Sequence, residues 1–203
     1  MGAFAEHSVT RLLEAMRAGD RPAADRLFAL VYDELHGLAV RQRGRWRGDA
    51  TLNATALVHE VYLKLVGGEP LELRSRGHFF ALAGRAMRQI LGNYARARRA
   101  QKRGGGAERV SLEAADAALL DGSAVLDDER LALFAELEAA LQRLERLSER
   151  QARVVECRFF AGLSIPETAQ ALETSPATVK RDWTLAQAWL YRELRRARDE
   201  AGS

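Results

Sequence analysis

The stretch SIPETAQALETSPATVKRDWTLAQAWL, residues 164–190, carries start signals for two successive helices. Ser164 is a residue type that caps helix starts, and Glu167 stands three residues later, so the two can satisfy amide groups that a helix start leaves free. Ser175-Pro176 repeats the signal with proline at the first helical position, so the first helix can extend only to about Leu172. The sequence therefore predicts two helices joined by a short turn.

The second of these helices is predicted to bury one face and to expose a polar start. The predicted buried face consists of Val179, Trp183, Ala186 and Leu190. A short helix, a tight turn and a second helix with small, polar and basic residues at its start form the geometry that enters the major groove of DNA. The candidate contacts with duplex DNA are Ser175, Thr178, Lys180, Arg181 and Thr184. Lys180 or Arg181 could donate to guanine, and the others would hold phosphates.

The turn between the two helices departs from the usual helix-turn-helix pattern. Small Ala169 and apolar Val179 stand at the spacing that the motif needs, but Glu173 occupies the place where the turn usually has glycine. The sequence therefore predicts either a positive φ at Glu173 or a slightly different turn. A helical hairpin without a DNA role is the alternative interpretation of the whole motif.

Helical spacing of apolar residues also dominates the rest of the 203-residue chain, and alternating β-branched runs and hairpin turns are missing from the sequence. We predict an all-α fold of two small helical domains joined by an acidic flexible linker, with the helix-turn-helix in the C-terminal domain. The predicted ranges are 1–103, 104–129 for the linker, and 130–203. Within the linker a short helix is predicted around 112–120. The C-terminal domain is predicted to begin with a helix whose buried face is Leu131, Leu133, Leu137, Leu141, Leu144 and Leu147.

The charged residues are arranged in blocks. Residues 74–103 contain nine basic and no acidic residues, whereas residues 104–129 contain seven acidic residues and one arginine, although the whole chain has a formal net charge of only +3. A second basic stretch, 41–47, contains four arginines and a tryptophan. An acid-free basic block is typical of a surface that binds a polyanion. A solvated helix face is the alternative for each block taken alone.

An enzyme is the alternative of a different class, and the sequence gives it little support. The four histidines are scattered, a phosphate-binding glycine loop is missing, and Cys157 is the single cysteine. Cys157 stands in an apolar helical stretch and is predicted to be a buried apolar residue. We therefore predict no catalytic residues, no metal site and no cofactor. No signal peptide or spanning helix is recognisable, which predicts a cytoplasmic protein without membrane insertion.

Three further segments resemble one known family in their order and spacing. Residues 79–96, FFALAGRAMRQILGNYAR, resemble the promoter-melting helix of bacterial RNA polymerase sigma factors of the extracytoplasmic-function (ECF, sigma-70-like) group. Residues 56–65, ALVHEVYLKL, resemble the helix with which these factors bind the polymerase clamp. Together with residues 147–155, LSERQARVV, and the helix-turn-helix, the resemblance covers nearly all of residues 8–196.

This resemblance implies a mechanism and a set of contacts. The N-terminal domain would dock on the β′ clamp of core RNA polymerase and bind the promoter −10 element as a melted strand, and the C-terminal domain would read the −35 element as duplex. The implied strand contacts are Arg74, Arg76, Arg85, Arg88, Gln89, Asn93 and Arg96. The implied polymerase contacts are Leu57, His59, Glu60 and Lys64. Phe79 and Phe80 share the apolar stripe of the strand-binding helix and are expected to be core residues.

The sequence departs from the family pattern at two places. Family members usually have asparagine at the position of Gln89 and aspartate at that of Asn93. They also usually carry carboxylates before the Leu-Val pair of the clamp helix, whereas residues 51–56 contain none. Phosphorylation of Thr55 or Thr51 by a Ser/Thr kinase would supply negative charge there. The alternative is that Thr55 is the N-cap of the clamp helix.

Two other binding functions remain as alternatives to a sigma factor. A helix-turn-helix transcriptional regulator would bind duplex DNA without polymerase, and a sigma factor would bind core polymerase tightly and free DNA weakly. A helical adaptor that binds a protein partner is the third reading, and the basic block argues against it. The sequence leaves open whether an anti-sigma factor or a kinase controls the protein.

Overall fold

The computed structural model describes residues 2–17, 20–45, 54–66, 75–102 and 128–201. These residues form eight α-helices and no strand, which confirms the all-α prediction. A π-helical segment, Glu156–Phe160, follows the sixth helix directly. The helices are α1 (Gly2–Arg17), α2 (Arg21–Arg45), α3 (Ala54–Val66), α4 (Arg76–Lys102), α5 (Asp128–Leu147), α6 (Glu149–Val155), α7 (Ile165–Ala171) and α8 (Pro176–Ala201).

The predicted linker, 104–129, lies outside the described residues except for its last two residues, which begin α5. The helix predicted around 112–120 also lies outside them. Within the described part of the chain, no helix combines the length and the apolarity that crossing a membrane requires.

The helices form two packed groups that share α4. Helices α1 to α4 pack successively against one another, and α5, α6 and α8 pack against each other with α7 on α8. Helix α4 also contacts α5, α7 and the π-helical segment. We call this contact of α4 with the C-terminal helices the closed packing.

The hydrophobic cores follow the same arrangement. The first core is built from α1 to α4, but it also contains Cys157, Ala161 and Leu163 from the C-terminal part of the chain. The second is built from α5, α6, α8 and the π-helical segment, and it contains Ala95 of α4. Burying a side chain of the size of leucine stabilises a fold by roughly 1.5–3 kcal/mol. Because each core contains residues from both groups of helices, the closed packing contributes apolar contacts to both cores.

The predicted core positions whose side chains the structure describes are buried or half-buried, with one exception. Phe79 and Phe80 are core residues, as expected. Cys157 is 1% exposed, and burial raises the pKa of its thiol to about 12, so it behaves as the apolar residue that the sequence predicts. The prediction is wrong for Leu147, which is 70% exposed. The buried face of α5 ends at Leu144, because the helix ends at Leu147 and Ser148 caps the next helix.

Candidate nucleic-acid interface

The start of α7 is fixed by the reciprocal cap that the sequence predicts. The backbone N–H of Ser164 donates to Glu167 Oε2 at 2.7 Å, and the N–H of Glu167 donates to Ser164 Oγ at 3.3 Å. The hydrogen bonding with Ser164 holds the pKa of the Glu167 carboxyl below its ordinary value. Helix α7 ends at Ala171, close to the predicted limit at Leu172.

The turn between α7 and α8 adopts the first of the two predicted forms. Glu173 has a φ of 51°, the left-handed conformation that usually calls for glycine. The N–H of Thr174 then donates to the carbonyl of Ala169 at 2.9 Å, which closes the end of α7. Ser175 caps α8, because its Oγ accepts from the N–H of Thr178 at 3.1 Å.

The inner face of α8 matches the predicted apolar stripe. Val179 and Ala186 are fully buried, Leu190 is 8% exposed, and Trp183 is partly buried. Ala169 of α7 and Val179 of α8 belong to one small cluster that Val154 of α6 completes. The two helices are therefore held at a fixed angle by contact of small and branched side chains.

The five residues predicted to contact duplex DNA lie together in the first turns of α8. Lys180, Arg181 and Thr184 are exposed, Ser175 is exposed and Thr178 is half-buried. The Arg181 side chain is 64% exposed, and its Nε lies 3.6 Å from Asp182 Oδ1. The Thr184 hydroxyl donates to the carbonyl of Lys180 at 3.1 Å. The arrangement presents two cations and three hydroxyls on one end of a helix.

Asp182 anchors this helix end and was not predicted from the sequence. It is 1% exposed, and Arg150 Nε of α6 donates to its Oδ2 at 2.5 Å. The pairing raises the pKa of Arg150. The sequence feature that could have indicated this role is the position of Asp182 next to the apolar residue Trp183, on the side of α8 that faces α6.

The residues predicted to contact the melted strand fall into different environments along α4. Arg74 lies outside the described residues. Arg76 pairs with Glu34 of α2, and its guanidinium lies 4.8 Å from the centre of the Phe80 ring. Gln89 is half-buried. Asn93 and Arg96 are exposed, and Arg96 Nη2 donates to Asn93 Oδ1 at 2.6 Å.

Arg85 and Arg88 face the C-terminal helices. Arg88 is 3% exposed. Its guanidinium contacts three carboxylates: Nη1 lies 2.7 Å from Glu156 Oε1, Nε lies 3.1 Å from Glu138 Oε2, and Nη2 lies 3.5 Å from Glu145 Oε2. Arg85 is half-exposed, and its Nη2 donates to Glu145 Oε1 at 2.9 Å. We call Glu138, Glu145 and Glu156 the carboxylate cluster.

The carboxylate cluster is a second feature that was not predicted. Burial raises the pKa of Glu138 and of Glu156, although Arg88 opposes the shift at both. The sequence signal that could have indicated this cluster is an acidic residue at a position where the helical spacing predicts a buried apolar residue. Glu138 lies between buried Phe134 and Leu141 at helical spacing, and Glu156 follows two buried valines.

The predicted polymerase contacts are only partly at the surface. His59 and Lys64 are exposed, and Glu60 is half-buried. The His59 ring stacks on Tyr62, with the ring centres 6.3 Å apart. Leu57 is fully buried and packs in the first core, so its side chain is not available to a partner in this conformation.

The alternative role of Thr55 as an N-cap is not met. Helix α3 begins at Ala54, so Thr55 is its second residue and lies inside the first turn, where its side chain is exposed. Thr51 lies outside the described residues.

Comparison with known proteins gives one match. A family model described as ECF sigma factor matches residues 6–196, which is 191 of the 203 residues. A search among curated proteins found no match. The match spans both groups of helices and confirms the resemblance drawn from the sequence.

Proposed function

The chain belongs to the ECF sigma factors, and we propose that it binds core RNA polymerase, reads the −35 element as duplex through α8, and binds the −10 element as a melted strand through α4. ECF sigma factors direct transcription from promoters and are not enzymes. In this proposal the N-terminal part, 1–103, contacts the polymerase and the melted strand, and the C-terminal part, 130–203, contacts duplex. The protein would act in the cytoplasm, without a cofactor.

The observation that carries the duplex contact is the exposed group of polar and basic residues at the start of α8. The major groove of DNA is about 12 Å wide and admits one α-helix, whose N-terminal residues then face the base edges. Lys180 and Arg181 are the exposed cations there, and Arg181 is suited to guanine because its guanidinium can donate two parallel hydrogen bonds. Ser175, Thr178 and Thr184 would hold phosphates.

The strand contact is supported by the basic block on α4. Asn93 and Arg96 are exposed, and the side chains of Arg76 and Arg85 are 26% and 35% exposed, whereas Arg88 is buried. Guanidinium groups neutralise phosphates, and the affinity of such a surface falls as the salt concentration rises.

We also propose that phosphorylation of Thr55 completes the polymerase-binding surface around His59, Glu60 and Lys64. A phosphate carries a charge of about −1.5 to −2 at pH 7. Negative charge is stabilised near the N-terminus of a helix, where the first turn lies. The exposed position of Thr55 in the first turn of α3 supports this proposal.

The test of the Thr55 proposal compares the affinity of core polymerase for Thr55→Glu and Thr55→Ala. We expect Thr55→Glu to bind more tightly, because it supplies one of the missing charges. Thr10→Glu adds the same charge at another exposed threonine, on α1, and should leave the affinity unchanged. Equal binding by the two Thr55 variants would remove the proposal.

The test of the main proposal is co-purification with core RNA polymerase, followed by run-off transcription from a pool of genomic fragments. We expect a stable complex and new start sites that share −35 and −10 sequences. Retention of duplex DNA without polymerase would instead favour the alternative of a helix-turn-helix regulator. If an anti-sigma factor controls the chain, a further protein should co-purify with it and should compete with core polymerase for binding to it.

A further inference from the structure

The arginine that is proposed to read a base at the start of α8 lies beside a buried carboxylate. Asp182, the next residue along the chain, is 1% exposed, and its Oδ1 lies 3.6 Å from Arg181 Nε. This distance is that of an ion pair and not of a hydrogen bond. The Arg181 side chain remains at the surface, where it is 64% exposed. The carboxylate therefore attracts one side of the guanidinium without holding it inside the protein.

Arg150 of α6 is the stronger partner of the same carboxylate. Its Nε donates to Asp182 Oδ2 at 2.5 Å, and its Nη2 lies 3.4 Å from Asp182 Oδ1. A buried carboxylate is costly unless it is paired, and two N–H groups of one guanidinium fix both of its oxygens. The orientation of the Asp182 carboxylate is therefore determined by α6, which packs against α8.

The contact with Asp182 determines which edge of the Arg181 guanidinium remains available. A guanidinium has five N–H donors in one rigid plane, one on Nε and four on the two terminal nitrogens. Because Nε faces Asp182, the edge formed by the terminal nitrogens is left for another acceptor. Two parallel hydrogen bonds from an arginine to O6 and N7 of guanine are the commonest specific contact in the major groove. An edge with two donors is what this contact requires.

The two distances to the carboxylate differ in a way that suits base reading. An arginine without a fixed neighbour samples many rotamers, and the freedom that it loses on binding weakens the contact. A carboxylate that bound Arg181 tightly would have the opposite effect, because it would withdraw the guanidinium from the groove. In the structure Arg150 has the short contact and Arg181 the long one, so Arg181 is oriented but remains free to bind.

We propose that Asp182 is a positioning residue for Arg181 and that Arg150 keeps Asp182 from capturing it, so that this arrangement determines the preference for guanine at one position of the −35 element. The inference rests on the proposed function. It gives α6, a helix outside the helix-turn-helix, a part in promoter specificity.

The test measures base preference in run-off transcription with core polymerase. A promoter from the genomic fragment pool is prepared with each of the four base pairs at every −35 position, and the preference is the ratio of transcripts from guanine and from the other bases. Arg181→Ala identifies the position that Arg181 reads, because the preference is lost there. Asp182→Asn keeps the shape of the side chain but removes the charge that orients Arg181 and offsets its repulsion from Arg150. We expect it to lower the preference at that position about threefold or more, which is part of the loss that removal of the contact itself brings.

Arg150→Gln removes the opposite charge and should act at the same position. The Asp182 carboxylate then loses its short contact, and we expect it to pair with Arg181 and to withdraw the guanidinium from the groove. The preference should again fall about threefold or more. Because the Arg150 side chain is 55% exposed, this variant should fold even if Asp182→Asn does not.

Two control variants remove a charge from an ion pair elsewhere on the same two helices. Glu193→Gln breaks the pair of Glu193 with Arg143 of α5, at 3.0 Å, three turns further along α8. Arg153→Gln breaks the pair of Arg153 with Glu149, within α6. Both should keep the base preference at every −35 position, and the affinity for core polymerase should be the same in all variants.

The Arg181→Ala background distinguishes positioning from a merely structural role. If Asp182 and Arg150 act through Arg181, neither Asp182→Asn nor Arg150→Gln changes the base preference further once residue 181 is alanine. Equal losses in both backgrounds, or losses spread evenly over all −35 positions, would overturn the inference. An unchanged preference in either variant, once folded, would overturn it too, as would an unchanged preference in Arg181→Ala.

The wild-type chain separates this inference from the proposed function. If the wild-type chain initiates transcription with core polymerase and prefers particular bases at the −35 element, the proposed function stands whatever the variants do. If it does not initiate, the proposed function fails, and the inference fails with it.

Discussion

Glu173 holds a backbone conformation that its side chain disfavours. Its φ of 51° is left-handed, which costs a residue other than glycine about 1–2 kcal/mol, whereas glycine adopts it freely at some entropic cost in the unfolded chain. We therefore expect Glu173→Gly to raise the free energy of unfolding by about 0.5–1 kcal/mol, measured by urea denaturation.

The control for this prediction keeps the conformational cost. Glu173→Ala removes the same side chain but retains a Cβ atom, so it should bring no such gain. Gly162 also has a positive φ, 70°, and Gly162→Ala should lower the free energy of unfolding by about 1 kcal/mol or more. Equal stabilisation by the glycine and alanine variants at position 173 would show that the side chain, and not the backbone, determines the effect.

At the scale of a single element, the start of α7 should make stability depend on pH. Glu167 has a lowered pKa in the folded chain, so its charge contributes stability that is present above its ordinary value of about 4.5 and lost as the pH falls through the lowered value. Glu167→Gln preserves the hydrogen-bonding shape of the cap without the charge. Because Glu167 is exposed, we expect the free energy of unfolding of the wild type to be higher than that of this variant by no more than about 0.5 kcal/mol at pH 7.

The measurement is urea denaturation of wild type and Glu167→Gln from pH 7 down to pH 3. The difference between their free energies of unfolding should shrink toward zero at the acid end. A difference that stays constant over the whole range would mean that the charge of Glu167 has no part in capping α7.

The start of α8 should determine which promoter is used. Arg181→Ala removes an exposed guanidinium from the end of α8 that is proposed to enter the groove. The loss of one base contact weakens binding to a promoter by about 1–3 kcal/mol, so transcription from particular promoters should fall roughly five- to 150-fold. Affinity for polymerase should remain unchanged. Arg192→Ala, an exposed arginine three turns further along the same helix, is the matched control and should affect neither quantity. A uniform loss of polymerase affinity in Arg181→Ala would contradict the assignment.

The helices themselves could be predicted because their signals are local. The caps at Ser164 and Ser175, the proline after each, and apolar spacing along α8 all act within one or two turns of chain. The same reasoning was wrong at Leu147, where apolar spacing continues to the helix end but the side chain is 70% exposed. Spacing shows which side of a helix is apolar, and packing decides how far along the helix that side is buried.

At the scale of the whole molecule, the closed packing could not be predicted in the same way. Arg88 meets Glu138 and Glu156 across 50 and 68 residues of chain, and any of 28 acidic residues could have been its partner. The sequence does contain a local trace of this interface, because Gly84 and Gly92 stand four residues either side of Arg88 on one face of α4. Glycines at that spacing let another element approach the helix closely, but they do not identify the element.

The contact at Gly84 allows the closed packing to be disturbed without altering any charge. Gly84→Ala places a methyl group where 2.7 Å is available against Ala161, so the closed packing must separate or deform. Gly37→Ala on α2 adds the same methyl group at a helical glycine where the nearest atom, Arg41 Nη1, lies at 3.5 Å. Both changes raise the helix propensity by the same amount, about 1 kcal/mol, so that only the effect on packing differs between them.

For the free chain, we expect Gly84→Ala to bind a fluorescein-labelled single-stranded oligonucleotide severalfold more tightly than wild type, because the apparent affinity is reduced in proportion to the fraction of binding-competent molecules. The radius of gyration from small-angle X-ray scattering should increase in the same variant, and Gly37→Ala should match wild type in both measurements. An expanded Gly84→Ala chain with unchanged strand affinity would mean that the C-terminal helices cover α4 without competing for it.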